Sequence, residues 1–254
     1  MTAGRFARAV PALLLALAGC AGPVASSPPV TTDCEATALG THRTLVLPRE
    51  GAAYGRVQHG PLPLVPREVV LTFDDGPRPE TTPQVLHALQ AECVQATFFM
   101  NGEPQRRHAA LARQVQAQGH TVAMHGFRHV NFADLAPSDQ RADLQAMREA
   151  HRDVLGGEAP AWRFPFLSES AALRERLREE RITVMSVDVG IEDWVPGQTP
   201  AMLADRLITR LRERGGGIVL LHDAQDQTAA ALPLLLRRLK DDGWRVVHLQ
   251  WAER

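Results

Sequence analysis

From Val69 onward the chain alternates short runs of β-branched and apolar residues with longer stretches in which apolar positions recur every three or four residues. The short runs fall at 69–73, 96–100, 121–125, 161–164, 183–187, 217–222 and 246–249. The helical stretches between them fall at 83–92, 103–118, 138–154, 171–180, 202–212 and 229–239. Strand and helix repeated in this order return each strand parallel to the last, so the expected class is α/β. About seven or eight strands favour a (β/α) barrel over an open doubly wound sheet. Asp74, Asp75, His125, His129, Arg163, Asp193 and His222 all fall at or just beyond the C-terminal ends of the expected strands. In such barrels that rim is where active sites are assembled from separate loops.

The chain before Val69 reads differently. Arg5 and Arg8 precede an apolar stretch at 9–18 that is too short to span a bilayer, the order of a signal peptide over 1–19. Leu17-Ala18-Gly19-Cys20 resembles the bacterial lipobox, whose Cys is lipidated and becomes the new N-terminus. The alternative is a plain signal peptide cut elsewhere, with Cys20 discarded. Ala21, where Asp would signal inner-membrane retention, points to the periplasmic face of the outer membrane. Residues 20–32, rich in Pro, Ser, Ala and Gly, read as a disordered tether. Residues 33–67 mix apolar residues with Pro and Gly and read as an extended N-terminal wrap, leaving 68–254 as the catalytic domain.

Composition adds little beyond these bounds. With 254 residues, 44% hydrophobic and 22% charged, the chain can build one sizeable core, and a monomer is expected. A net charge of −1 without basic or acidic blocks gives no footprint for nucleic acid and suits a neutral sugar polymer. Once Cys20 is set aside, two cysteines remain. Cys34 and Cys93 either pair in an oxidising compartment, or Cys93 is a small buried hydrophobe and Cys34 lies loose in the tail.

The chemistry starts from Asp74-Asp75. Two adjacent carboxylates at the end of an apolar strand repel one another unless something positive joins them, although a solvated turn set by Gly76-Pro77 is the plainer alternative. His125 and His129 share a face if helical, or converge if the chain folds back at Gly126. With a carboxylate from Asp75 they give two imidazoles and an oxygen, a set that holds a divalent cation and leaves positions open for water and substrate.

In order along the chain, Thr72-Phe73-Asp74-Asp75-Gly76-Pro77, His125-Gly126-Phe127-Arg128-His129, Arg163-Phe164-Pro165-Phe166, Asp193-Trp194 and Leu220-Leu221-His222 resemble the five motifs of the polysaccharide deacetylases of carbohydrate esterase family four, the NodB-homology domain. The resemblance spans about 69–250 and implies a distorted, incomplete (β/α) barrel. It implies a hydrolase that removes N-acetyl groups from a glycan, with Asp75, His125 and His129 on the metal and Asp74 as general base. Zn²⁺ is the first choice of ion, with Co²⁺ or Ni²⁺ as replacements. Arg163 would pair with Asp74, and the backbone N–H of Phe166 would face the oxyanion. His222 would protonate the leaving amine with Asp193 as its carboxylate partner, a role for which Asp188 and Glu192 compete. Trp194 and Leu220 are either core or an apolar slot for the acetyl methyl.

Two positions depart from the family pattern. Gly126 stands where Ser or Thr is usual, so weaker metal binding or an altered loop is expected. Phe166 and Leu167 replace a common Tyr and Gly, which makes that wall more apolar. Two other readings stay open: a non-haem Fe(II) oxygenase, which also uses two His and a carboxylate but on a double β-sheet, and a decayed glycan-binding lipoprotein.

Overall fold

A computed structural model describes residues 1–2 and 34–253. Cys20, the tether and nearly all of the expected signal peptide lie outside the described residues. The body opens with β1 (Thr41–Leu47) and β2 (Ala53–Tyr54), then alternates through β3 (Glu68–Asp74), α1 (Thr82–Ala91), β4 (Thr97–Met100), α2 (Gly102–Arg107), α3 (Ala109–Ala117) and β5 (Thr121–Met124). It continues with α4 (Pro137–Leu155), β6 (Ala161–Trp162), α5 (Ala171–Glu179), β7 (Thr183–Met185), β8 (Val189–Gly190), α6 (Pro200–Arg214), β9 (Gly217–His222), α7 (Asp226–Asp241) and β10 (Arg245–Trp251). Every ladder among these strands is parallel. Seven of the strands are those the alternation predicts. β1, β2 and β8 are additional, and the helix expected at 103–118 is broken at His108 (φ −118°, ψ 45°) into α2 and α3.

Helix boundaries follow capping chemistry. Thr199 accepts from Met202 N, Pro200 begins α6 and left-handed Gly215 ends it, while Ser170 caps α5 by accepting from Leu173 N.

The barrel ladder runs β9-β3-β4-β5-β6-β7, with β8 on the far side of β9 and β2 beyond β7. β7 and β8 share no ladder, so the barrel is incomplete. The segment after β2 stitches that seam. Val57 N donates to Val187 O, and Arg56 N donates to Asp188 Oδ1, whose Oδ2 accepts from Ile218 N of β9.

Strand alternation sorts the core into layers. Val69, Leu71 and Phe73 pack outward with residues of α1, α6 and α7. Val70 packs inward with Phe99, Ala123, Ala161, Met185 and Ile218 from neighbouring strands, and with Val247 and Leu249 of β10. The inward line of β3 then continues through Thr72 to Asp74, which delivers a buried carboxylate to the C-terminal mouth. Cys34 and Cys93 form a disulfide with a Cα–Cα distance of 5.9 Å, tying the N-terminal segment to the α1–β4 turn. That closes the choice left open by cysteine counting.

His120, His151 and His248 are buried away from the mouth, and burial pushes each down to about 4. A buried neutral His gains a proton more readily once unfolded, so stability present near neutrality is lost as pH falls from about 6.5 toward 4. Unfolding free energies from urea titrations should therefore drop between pH 7 and pH 5, by roughly 1–2 kcal/mol per histidine, and the midpoints with them. The drop should be smaller in His120→Gln; equal midpoints at the two pH values would refute this account.

Candidate active site

Asp74 sits at the base of the mouth, and its partner arrives from the end of β6. Arg163 is 0% exposed, and a charge so buried persists only when paired and hydrogen-bonded. Its Nη1 donates to Asp74 Oδ1 at 2.7 Å and to Thr72 Oγ1 at 2.8 Å. Nε and Nη2 donate to the carbonyls of Met185 (3.1 Å) and Ser186 (3.2 Å), and the guanidinium lies 4.1 Å from the Phe99 ring centre. Burial lowers the pKa of Arg163 and the charge of Asp74 opposes this, so the guanidinium stays protonated. One oxygen of Asp74 is thus fixed, while Oδ2 faces His125 Nε2 at 3.7 Å.

Asp75 follows with φ +79°, a left-handed turn that directs its carboxylate away from that pair. Its Oδ1 is buried without a hydrogen bond, 3.5 Å from His125 Nε2 and 3.3 Å from His129 Nε2. His125 Nδ1 lies 2.9 Å from Arg163 O. A carbonyl only accepts, so Nδ1 carries the proton and Nε2 presents a lone pair to Asp75. Burial pushes the pKa of His125 down against the pull of Asp74 and Asp75, which keeps the ring in the neutral form a ligand requires. The chain turns back at Gly126 (φ +81°), so the two histidines converge through a loop and not along a helix.

Asp75, His125 and His129 offer one ligand atom each, all within 4.8 Å of one another. Ligands of a tetrahedral zinc with bonds of ~2.0–2.1 Å stand about 3.4 Å apart, close to the separations from Asp75 Oδ1. The orphaned oxygen, the neutral tautomer and the spacing all fit a divalent cation.

Across the mouth, His222 ends β9. Its Nδ1 lies 2.9 Å from Asp193 Oδ1, and Asp193 Oδ2 accepts from His222 N (2.8 Å) and Thr228 Oγ1. Burial acts to lower the pKa of His222, but the hydrogen bond and charge of Asp193, with Asp74 and Asp75 adding, push it up to about 9. Asp193 is therefore the partner. Asp188 is occupied at the seam, and Glu192 pairs with Arg206 and Arg210.

Asp74, Asp75, His125, His129, Phe166, Trp194, Leu220 and His222 line one cavity of about 450 Å³, with Phe164 and Leu167. Arg163 and Asp193 stand behind the lining. Phe166 (φ +58°) is 65% exposed and packs on His129 with ring centres 4.3 Å apart; Trp194 meets His222 edge-on at 5.3 Å. The exposure of Trp194 decides against core packing for it, whereas Leu220 is buried and still reaches the cavity lining.

Sequence reasoning missed two buried acids. Asp223 accepts from Gly76 N at 3.2 Å and bonds Thr82 Oγ1, holding the turn after Asp75; burial, opposed by those bonds, raises it to about 7. Asp143 of α4 accepts from Phe127 N (2.7 Å) and Arg128 N (3.2 Å). Nothing in the sequence marked the second: Asp143 shares the buried face of α4 with Gln140, Leu144, Met147 and His151, a stripe already mixed in polarity.

The polysaccharide deacetylase family model matches residues 63–185. A chitooligosaccharide deacetylase of Sinorhizobium fredii is 32% identical over 190 residues, 69% of this chain and 87% of that protein. The chain belongs to the polysaccharide deacetylase family. A peptidoglycan-N-acetylglucosamine deacetylase of Listeria monocytogenes is 28% identical over 182 residues, 71% of this chain but only 38% of that longer protein. Among solved structures, a peptidoglycan deacetylase of Bdellovibrio bacteriovorus matches with a TM-score of 0.75 and 30% identity, covering 83% of this chain and 59% of that one. The shared parallel β/α architecture is unlike the double β-sheet expected of the oxygenase alternative.

Removal of one imidazole of the Asp75–His125–His129 cluster separates the two sides of the mouth. After dialysis, His125→Ala should retain less than about a tenth of the zinc bound by the wild type, whereas His222→Ala should retain all of it. Equal retention by the two variants, read by elemental analysis, would refute the assignment.

Proposed function

We propose that the protein is a metal-dependent hydrolase that removes N-acetyl groups from a cell-wall or extracellular glycan and releases acetate. The observation that carries this reading is the arrangement of one cavity. A two-histidine, one-carboxylate set lies between a carboxylate held by an arginine and a histidine held by a carboxylate. A divalent cation on Asp75, His125 and His129, with Zn²⁺ preferred and Co²⁺ or Ni²⁺ as replacements, supplies Lewis acidity toward an amide carbonyl and acidifies a water.

The remaining work falls to the chain's own groups. Asp74 takes the proton of the attacking water on Oδ2, the oxygen that Arg163 leaves free. Arg163 holds the carboxylate ionised and fixes its plane. The backbone N–H of Phe166, in the tight turn beside His129, donates to the oxygen on which charge develops. His222, raised to about 9, is protonated at neutral pH and delivers its proton to the departing amine, with Asp193 fixing the ring. Leu220 and Trp194 give the acetyl methyl an apolar wall.

Export with a lipid anchor on Cys20, a monomeric state and a catalytic domain at 68–254 complete the proposal. The Cys34–Cys93 disulfide supports an oxidising compartment, and no helix among the described residues is long and apolar enough to cross a membrane.

Zinc-loaded protein should release acetate from N-acetylated chitooligosaccharides or peptidoglycan; release from neither would sink the proposal. An acid must hold its proton to donate it, so kcat should fall as pH rises through the pKa of His222. Asp193→Asn removes the charge that raises that pKa, so this limb should move to lower pH; an unmoved limb would contradict the role of His222.

A further inference from the structure

The loop at 125–129 carries two of the three proposed metal ligands, yet its second residue, Gly126, has no side chain with which to brace it. Most of the loop's polar backbone is nevertheless engaged. His125 N donates to Met100 O, and His125 O accepts from Asn101 Nδ2 at 2.6 Å. The carbonyls of Gly126 and Phe127 accept from Gly102 N and Glu103 N, the first amides of α2, each at 3.0 Å. The carbonyls are therefore clamped from the α2 side.

The amides face the other way. Phe127 N and Arg128 N both donate to Asp143, one to each carboxylate oxygen, at 2.7 and 3.2 Å, and Arg128 Nε approaches Oδ2 at 3.5 Å. The Asp143 side chain is 0% exposed and belongs to a 19-residue helix, so the loop is referred to a rigid element. Gly126 leaves this approach open. At φ +81°, a Cβ there would stand 3.1 Å from Arg128 O, 3.3 Å from Phe132 Cε2 and 3.4 Å from Asp143 Oδ1. The backbone conformation is strained for any residue with a side chain, and a Cβ would press on Arg128 O and Phe132 while only touching Asp143.

We propose that Asp143 is a positioning residue for the metal site: its carboxylate, gripping consecutive amides between the two histidines, sets the separation of His125 and His129 and substitutes for a brace at position 126. The inference rests on the metal reading given above. It also runs against the expectation that Gly126 weakens the site, because the glycine adopts without strain the left-handed turn in which the carboxylate clamp forms. An outer partner of this kind governs affinity through ligand placement without touching the ion.

The test is zinc affinity, measured by competition with a chromogenic chelator, beside the melting temperature and near-ultraviolet circular dichroism of the metal-free protein. Asp143→Ala should raise the Kd for zinc about tenfold or more while the metal-free chain keeps its near-ultraviolet spectrum. Asp143→Asn, with one acceptor oxygen left, should fall between the two. Gly126→Ser should bind zinc no tighter than the wild type. Folded Asp143→Ala with wild-type affinity overturns the inference, as does tighter binding by Gly126→Ser. If Asp143→Ala does not fold, Asp143→Asn decides, wild-type affinity overturning the inference and weaker binding supporting it. A wild-type protein that binds no zinc overturns the metal reading and this inference together, whereas zinc bound equally by wild type and variants overturns only this one.

Discussion

The ion pair between Arg163 and Asp74 is the constraint around which the mouth of the barrel is arranged. A fully buried guanidinium has no water to fall back on, so each of its nitrogens must find an acceptor, and each does so at two strand ends: Thr72 and Asp74 of β3, and Met185 of β7 with Ser186 just beyond it. Removing either partner of such a pair costs roughly 3–5 kcal/mol, because the other is left charged and alone. The same pair decides the chemistry. It occupies one oxygen of Asp74 and leaves the other toward the cavity, and the carbonyl of Arg163 fixes the tautomer of His125. One residue thus joins the Asp74 side of the site to the His125–His129 side.

From this pair outward, each functional group is held by a partner one layer behind it. Asp193 holds His222, Asp223 holds the turn after Asp75, and Asp143 holds the loop between the histidines. Three buried acids thus brace three separate strand-end loops. The incomplete barrel is compatible with this arrangement because residues 56 and 57 bridge the open seam through Asp188 and Val187.

The fold was legible in the sequence because its periodicity is strong: the seven strand runs and the helices between them recur in the structure with ends shifted by a few residues. β2 and β8 escaped because two-residue strands carry no alternation to read. β1 escaped because its apolar residues stand among polar ones along a strand paired on one side only. The cavity-lining residues were legible because carboxylates and imidazoles stand at the ends of otherwise apolar strand runs. Their supports were less so. An aspartate such as Asp143, on a helix far along the chain, looks like any charged helix position until its burial is seen. Gly126 reads in the sequence as a missing hydroxyl; its φ of +81° and its close neighbours are visible only in the fold.

The central claim is that the two adjacent carboxylates do different work, Asp75 holding the metal and Asp74 moving the proton. The most direct test is acetate release by zinc-loaded Asp74→Asn, with bound zinc measured on the same sample. The account predicts about one zinc per chain and a rate below about a hundredth of the wild type. Acetate release at the wild-type rate would contradict it.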